Sequence, residues 1–243
     1  MASIDRSIDP HVLISPPPSP FFCLRHLQPQ RRPGAQGGSN GSIRFELDWV
    51  SNGGIQRFAF PFLWAGKQIL DKLYPDTLSW ADCVALSAAA GVKNAGGPYV
   101  NVGYGRPDAT QADPFVGVSV STEVTKDWNL DQLLAQWESF GWTADELCIL
   151  SGAHTYGISA TSSPQGLMVR PFFTNVYYKN VLAGLGFFNS DKTLATPGGA
   201  TLECVQKAAV DEKWFFREWR DYFYELSWKG VPDTVVRKGL SKE

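Results

Sequence analysis

The 243-residue chain holds three histidines, His11, His26 and His154, so any chemistry that needs an imidazole has few places to find one. His154 has the most informative neighbours. It lies in Leu150-Ser-Gly-Ala-His154-Thr-Tyr-Gly157, behind Thr143-Ala-Asp-Glu146, a capping box that opens a helix running to about Ala153. A histidine at a helix end, flanked by small residues, lets a flat cofactor approach the backbone closely. Other chemistries lack their residues. The chain has no G-x-S-x-G elbow, no Walker loop, no G-x-G-x-x-G fingerprint, and neither H-E-x-x-H nor paired cysteine ligands for zinc. Asn40-Gly-Ser42 matches a glycosylation acceptor, a short pattern that arises by chance.

Helices must position this histidine. Ile55, Phe58, Phe62, Ala65, Ile69 and Leu73 recur at spacings of three and four until Pro75, which predicts a helix over 55–73. Ser79-Trp-Ala-Asp82 caps a second over 80–94, ended by Gly96-Gly97-Pro98. Residues 96–127 read as a long ordered loop with a small strand at Gly117-Val-Ser-Val-Ser. Asn129 caps a helix through Phe140, and further helices fit Asn175–Ala183, Ala200–Ala208 and Glu212–Trp228. Trp64, Phe58, Trp80, Trp137, Trp219, Phe223 and Trp228 fall on these helices and are expected mostly in the core. No hairpin signature is strong enough to suggest a sheet-based core, so the expected class is mostly α.

Composition limits the partners. With 22 Lys+Arg against 24 Asp+Glu the net charge is −2, which gives no electrostatic footprint for nucleic acid or anionic membranes. The richest apolar run, Phe58 to Leu70, is broken by Pro61, Gly66, Lys67 and Gln68 and falls short of a spanning helix, so no membrane span is expected. Cys23, Cys83, Cys148 and Cys204 show neither C-x-x-C spacing nor scaffold density and read as buried thiols of a reducing compartment. Residues 1–35 form an irregular stretch bearing Pro and Arg. It reads either as a transit peptide directing the chain to the chloroplast or as an untargeted tail on a cytoplasmic protein. One helical domain over 36–235 and a tail over 236–243 complete the division.

The segment around His154 resembles the proximal-histidine motif of haem peroxidases of the class that contains ascorbate peroxidase and cytochrome c peroxidase. Other pieces follow in the family's order: Gly37-Gly-Ser-Asn-Gly-Ser-Ile-Arg-Phe45, Leu78-Ser-Trp-Ala-Asp82, Gly96-Gly-Pro98, Gly105-Arg-Pro-Asp-Ala109, Ala112-Asp-Pro114 and Trp142-Thr-Ala-Asp-Glu146. Together they are most similar to the ascorbate peroxidase branch. The resemblance implies a haem-peroxidase-like helical domain that holds one haem b. His154 would donate Nε2 to iron and Nδ1–H to a buried carboxylate. Ser190-Asp191-Lys-Thr-Leu194 is similar to the family segment that carries this carboxylate, and Asp191 follows His154 by 191 − 154 = 37 residues. Implied reactants are hydrogen peroxide and a small reductant such as ascorbate.

The resemblance weakens on the peroxide side. The family carries Arg-x-x-Trp-His before the Gly-Gly-x-Asn-Gly-Ser segment, whereas this chain reads Leu24-Arg25-His26-Leu-Gln-Pro29 with no Trp-His pair, so the N-terminal distal helix is incomplete. Arg25 and His26 are the residues of the right types for charge stabilisation and proton transfer there. Asn52 matches the asparagine that orients the family's distal histidine. Thr155 matches a threonine that helps bind a monovalent cation, but Phe173-Thr-Asn175 replaces the family's Phe-Asp-Asn and loses a carboxylate ligand, which argues against that cation. Ser163 stands where an arginine for the reductant is expected, and the tryptophan usually stacked below the proximal histidine would fall at Gln165–Gly166. Two readings therefore remain open: a working peroxidase, and a catalytically impaired relative that keeps the fold for haem retention or for docking to another protein.

Overall fold

Pro61 has no N–H to donate to the carbonyl of Arg57, and its ring crowds that carbonyl, so a regular helix cannot run through this point from its N-terminal side. In the computed structural model, Ile55–Ala59 accordingly forms a π turn, and α1 begins after it at Phe60–Leu73. The single helix expected over 55–73 is thus two pieces. The structure describes residues 39–48, 55–112, 127–159 and 168–239. The expected strand at Gly117, the incomplete distal helix, and Arg25, His26, Asn52, Ser163 and Gln165–Gly166 lie outside them.

α2 (Trp80–Asn94) starts at the expected box: Ser79 Oγ accepts from the Asp82 amide at 2.9 Å, and an Asp82 carboxylate oxygen accepts from the Ser79 amide. Asp108 caps the same end, accepting from the amides of Trp80 and Ala81 at 2.9 Å each and from the Arg44 guanidinium at 2.9 Å. Arg44 also donates to the Ala109 carbonyl, and the Ala109 amide donates to the Asn40 carbonyl. Three of the separate motif pieces are therefore one hydrogen-bonded knot at the start of α2. Asn40 is buried and its Oδ1 accepts from the Ser42 amide, so the glycosylation pattern is part of this packing.

α3 (Leu130–Ser139) and α4 (Ala144–Ser151) both open with capping boxes, Asn129 with Gln132 and Thr143 with Glu146. A 3-10 turn, Gly152–Thr155, continues α4. Gly157, at φ +130°, then redirects the chain into β1 (Gly157–Ser159), which pairs antiparallel with β2 (Met168–Arg170) in the register Ile158 to Val169. This small hairpin was not expected, since its strands are three residues each and carry no alternation. α5 (Val176–Leu182), α6 (Asn189–Thr193), α7 (Leu202–Val210) and α8 (Glu212–Trp228) follow. α6 was also not expected: a single turn of Asn-Ser-Asp-Lys-Thr has no apolar period to betray it.

α8 turns Phe215, Trp219, Phe223 and Leu226 toward α4 and α7, and all four are buried, while α4 buries Leu147, Cys148, Ile149 and Leu150 on every side. The histidine-bearing turn is thus rooted in the centre of the core. Two expectations need correction. Trp64 is 50% exposed, because Phe60 and Leu63 already occupy the inward face of α1. Cys148 and Cys204 are not thiols but a disulfide between α4 and α7, with Cα atoms 6.4 Å apart. Helix packing brings together cysteines that lie 56 residues apart, which spacing alone could not reveal. That bond removes the ground for assuming a reducing compartment. Cys83 is a buried free thiol, and Cys23 lies outside the described residues. Among the described residues no helix is long and apolar enough to cross a membrane.

Candidate active site

Four consecutive buried residues anchor the end of α4, and the chain tightens beyond them to present His154 at the third position of the 3-10 turn. Gly152 makes this possible for a reason other than close approach of a flat cofactor. A Cβ there would lie 2.3 Å from Tyr178 Oη and 2.7 Å from the Phe215 ring. The missing side chain is space for the core. Tyr178 uses that space to donate to the carbonyls of Ile149 at 3.0 Å and Cys148 at 3.2 Å, two carbonyls near the C-terminus of α4.

His154 Nδ1 lies 2.5 Å from Asp191 Oδ1. The histidine side chain is 17% exposed and the aspartate 2%. Asp191 sits in the first turn of α6, where its Oδ2 accepts from the Phe188 amide at 2.9 Å. Tyr177, on α5, donates its hydroxyl to Asp191 Oδ1 at 2.9 Å. The rings of Phe188 and Tyr177 meet His154 edge-on at centroid distances of 5.4 and 6.0 Å. Three segments far apart in sequence, the turn after α4, α5 and α6, therefore converge on one carboxylate.

Burial raises the Asp191 carboxyl, but the charge and hydrogen bond of His154, the Phe188 amide and the Tyr177 hydroxyl together outweigh it and leave the group below its ordinary 3.8. Burial first, and then the negative Asp191, push the Tyr177 hydroxyl well above its ordinary value, so it stays a donor. When the His154 ring is neutral, an ionised carboxylate against Nδ1 favours the tautomer with the proton on that nitrogen. The arrangement is a histidine whose ring is oriented at Nδ1 by a buried carboxylate.

Thr155 is buried, with its hydroxyl 3.4 Å from the Thr174 hydroxyl. Asn175 spends its side-chain amide on the carbonyls of Ala208 and Ala209, at 3.0 Å each, and its backbone amide donates to Glu212. These residues tie α5 to α7 and α8. Of the residues singled out from sequence, the structure thus brings together His154 and Asp191, with Thr155 adjacent. Tyr177 and Phe188 were missed. In sequence they are aromatics near short helices, and nothing separates them from ordinary core residues.

Residues 22–211 match the peroxidase family. Among curated proteins of Arabidopsis thaliana, "Peroxidase 46" is 28% identical over 228 residues, covering 75% of this chain and 69% of that protein. "Peroxidase 66" is 29% identical, covering 69% and 64%. "Putative L-ascorbate peroxidase 6" is 30% identical, covering 78% and 56%. The chain spans between 56% and 69% of the length of these relatives. A mostly helical fold, a histidine at the end of a buried helix and a match over most of the chain agree: this protein belongs to the peroxidase family, oxidoreductases that act on peroxide.

Proposed function

We propose that the protein is a haem-b peroxidase of the ascorbate-peroxidase type, reducing hydrogen peroxide to water with electrons from a small donor. The observation that carries this reading is the 2.5 Å contact between His154 Nδ1 and the buried Asp191. This donor set suits haem iron. A single imidazole backed by a carboxylate would be an electron-rich ligand of the kind that favours peroxide chemistry over reversible oxygen binding. Among the described residues no group of three or more His, Cys, Asp or Glu competes to hold a bare metal ion.

Haem b, one per chain, would supply the redox-active iron for the reduction of peroxide. The chain's own residues do the rest. His154 would hold the haem iron through Nε2, while Asp191 keeps the proton at Nδ1 and fixes the ring plane. Toward peroxide the reading assigns His26 the transfer of a proton from the inner to the outer peroxide oxygen, Arg25 the charge on the departing oxygen, and Asn52 the orientation of His26. One peroxide, two protons and two electrons give two waters. For ascorbate as the donor the support is the name of one relative, "Putative L-ascorbate peroxidase 6", and Ser163 in the place of the reductant's arginine argues against it.

One observation favours a second reading, in which the protein holds haem without turning over peroxide and docks to another protein: Arg25 is followed at once by His26, with no Trp-His pair. An absorption spectrum of the haem-reconstituted protein, before and after one equivalent of hydrogen peroxide, separates the two. A Soret band that moves rapidly on peroxide addition supports the peroxidase. A ferric band indifferent to peroxide leaves the second reading, and no band at all overturns both.

A further inference from the structure

Asp191 Oδ1 serves two donors, His154 Nδ1 at 2.5 Å and Tyr177 Oη at 2.9 Å, while Oδ2 is held by the Phe188 amide. A carboxylate oxygen shared in this way gives each donor less than it would give one alone, because both draw on the same negative charge. The site is buried, so no solvent dipoles smooth out the competition. We propose that Tyr177 is a positioning residue for the proximal pair. Its hydroxyl limits the charge that Asp191 passes to the His154 ring, and so sets how strongly Nε2 donates to a bound metal. The metal in question is the haem iron of the function proposed above, and the inference rests on that reading.

A tyrosine that merely fills space would act differently. Its ring meets Tyr178 at 5.0 Å and His154 at 6.0 Å, and these contacts survive removal of the hydroxyl. Tyr177→Phe therefore keeps the packing and deletes one donor to Oδ1. Asp191 Oδ1 is then left to His154 alone, with Oδ2 still on the Phe188 amide; the Nδ1–H bond strengthens and the imidazole gains anionic character. Asp191→Asn does the reverse. The two substitutions alter one hydrogen-bonded chain with opposite signs.

The experiment compares wild type, Tyr177→Phe and Asp191→Asn in two states. In the haem-free protein, the His154 Nδ1–H resonance is read by proton NMR. It should move downfield in Tyr177→Phe and upfield in Asp191→Asn. In the haem-reconstituted protein, spectroelectrochemistry should find the ferric/ferrous midpoint lowered by Tyr177→Phe and raised by Asp191→Asn. A Tyr177→Phe shift in the same direction as that of Asp191→Asn would mean that the tyrosine only holds the carboxylate in place, and would overturn the proposal. No shift in either state would do the same. Should Tyr177→Phe not fold, 3,5-difluorotyrosine at position 177, a stronger donor, must raise the midpoint and move the resonance upfield. If the wild type takes up no haem, the peroxidase reading fails while the haem-free resonance still decides the role of Tyr177.

Discussion

The Arg106 guanidinium lies 3.0 Å from Asp82 Oδ1 with both side chains sealed from solvent. Arg106 also donates to the carbonyls of Val102, Gly103 and Ser227 and to the Ser227 hydroxyl, and it stacks 3.9 Å from the Trp228 ring. This one side chain joins α2, the loop after it and the end of α8. Removing it leaves a buried carboxylate with its backbone amide donors but without the Arg106 countercharge, so Arg106→Ala should cost roughly 3–5 kcal/mol, measured as a lower urea midpoint. A loss below about 1 kcal/mol would show that the pair is unimportant to the fold.

Haem uptake should depend on the proximal pair in two grades. His154→Ala should abolish stoichiometric binding, and Asp191→Asn should weaken it roughly 10- to 100-fold. Titration of the haem-free proteins with hemin, followed at the Soret band, reads both. An alanine variant with wild-type affinity would remove His154 as the ligand.

Gly152→Ala places a methyl 2.3 Å from Tyr178 Oη and 2.7 Å from Phe215. The overpacking should cost roughly 1–3 kcal/mol. Adding Tyr178→Phe removes the nearer clash and should recover part of that loss, so the double-mutant cycle must be non-additive. Thermal melts of the four proteins provide the test, and strict additivity would contradict the geometry.

The Cys148–Cys204 bond crosses from the histidine-bearing helix to α7. Preventing it with Cys204→Ser should lower stability by roughly 2–4 kcal/mol through the freedom regained by the unfolded chain. Alkylation of the denatured protein without reductant, read by mass spectrometry, should leave these two cysteines unlabelled. Labelling of both would show that the bond does not form.

Burial pushes the Cys83 thiol up to about 11, against partial opposition from the Ser87 hydrogen bond and the charge of Lys67. The folded protein therefore holds it neutral while the unfolded thiol ionises near 9.0. Its contribution is fully present below pH 9.0 and is lost as pH rises through about 11. In a Cys23→Ser background, native protein at pH 8 should react with iodoacetamide far more slowly than protein in urea. Equal rates would place Cys83 at the surface.

The chain's own order of residues determined the helical class, most helix starts and the pairing of His154 with Asp191. Capping boxes such as Ser79 with Asp82 and Thr143 with Glu146 are local, since their partners lie within one turn and their chemistry can be read from spacing. His154 and Asp191 were legible because motif pieces surround them. What spacing could not report is what meets across the core. Tyr177 on the carboxylate, the reason for Gly152, the Cys148–Cys204 bond and the exposure of Trp64 all depend on which faces of α1, α4, α5, α7 and α8 come together. Such contacts are decided by packing between segments tens of residues apart, and a short-range pattern carries no record of them.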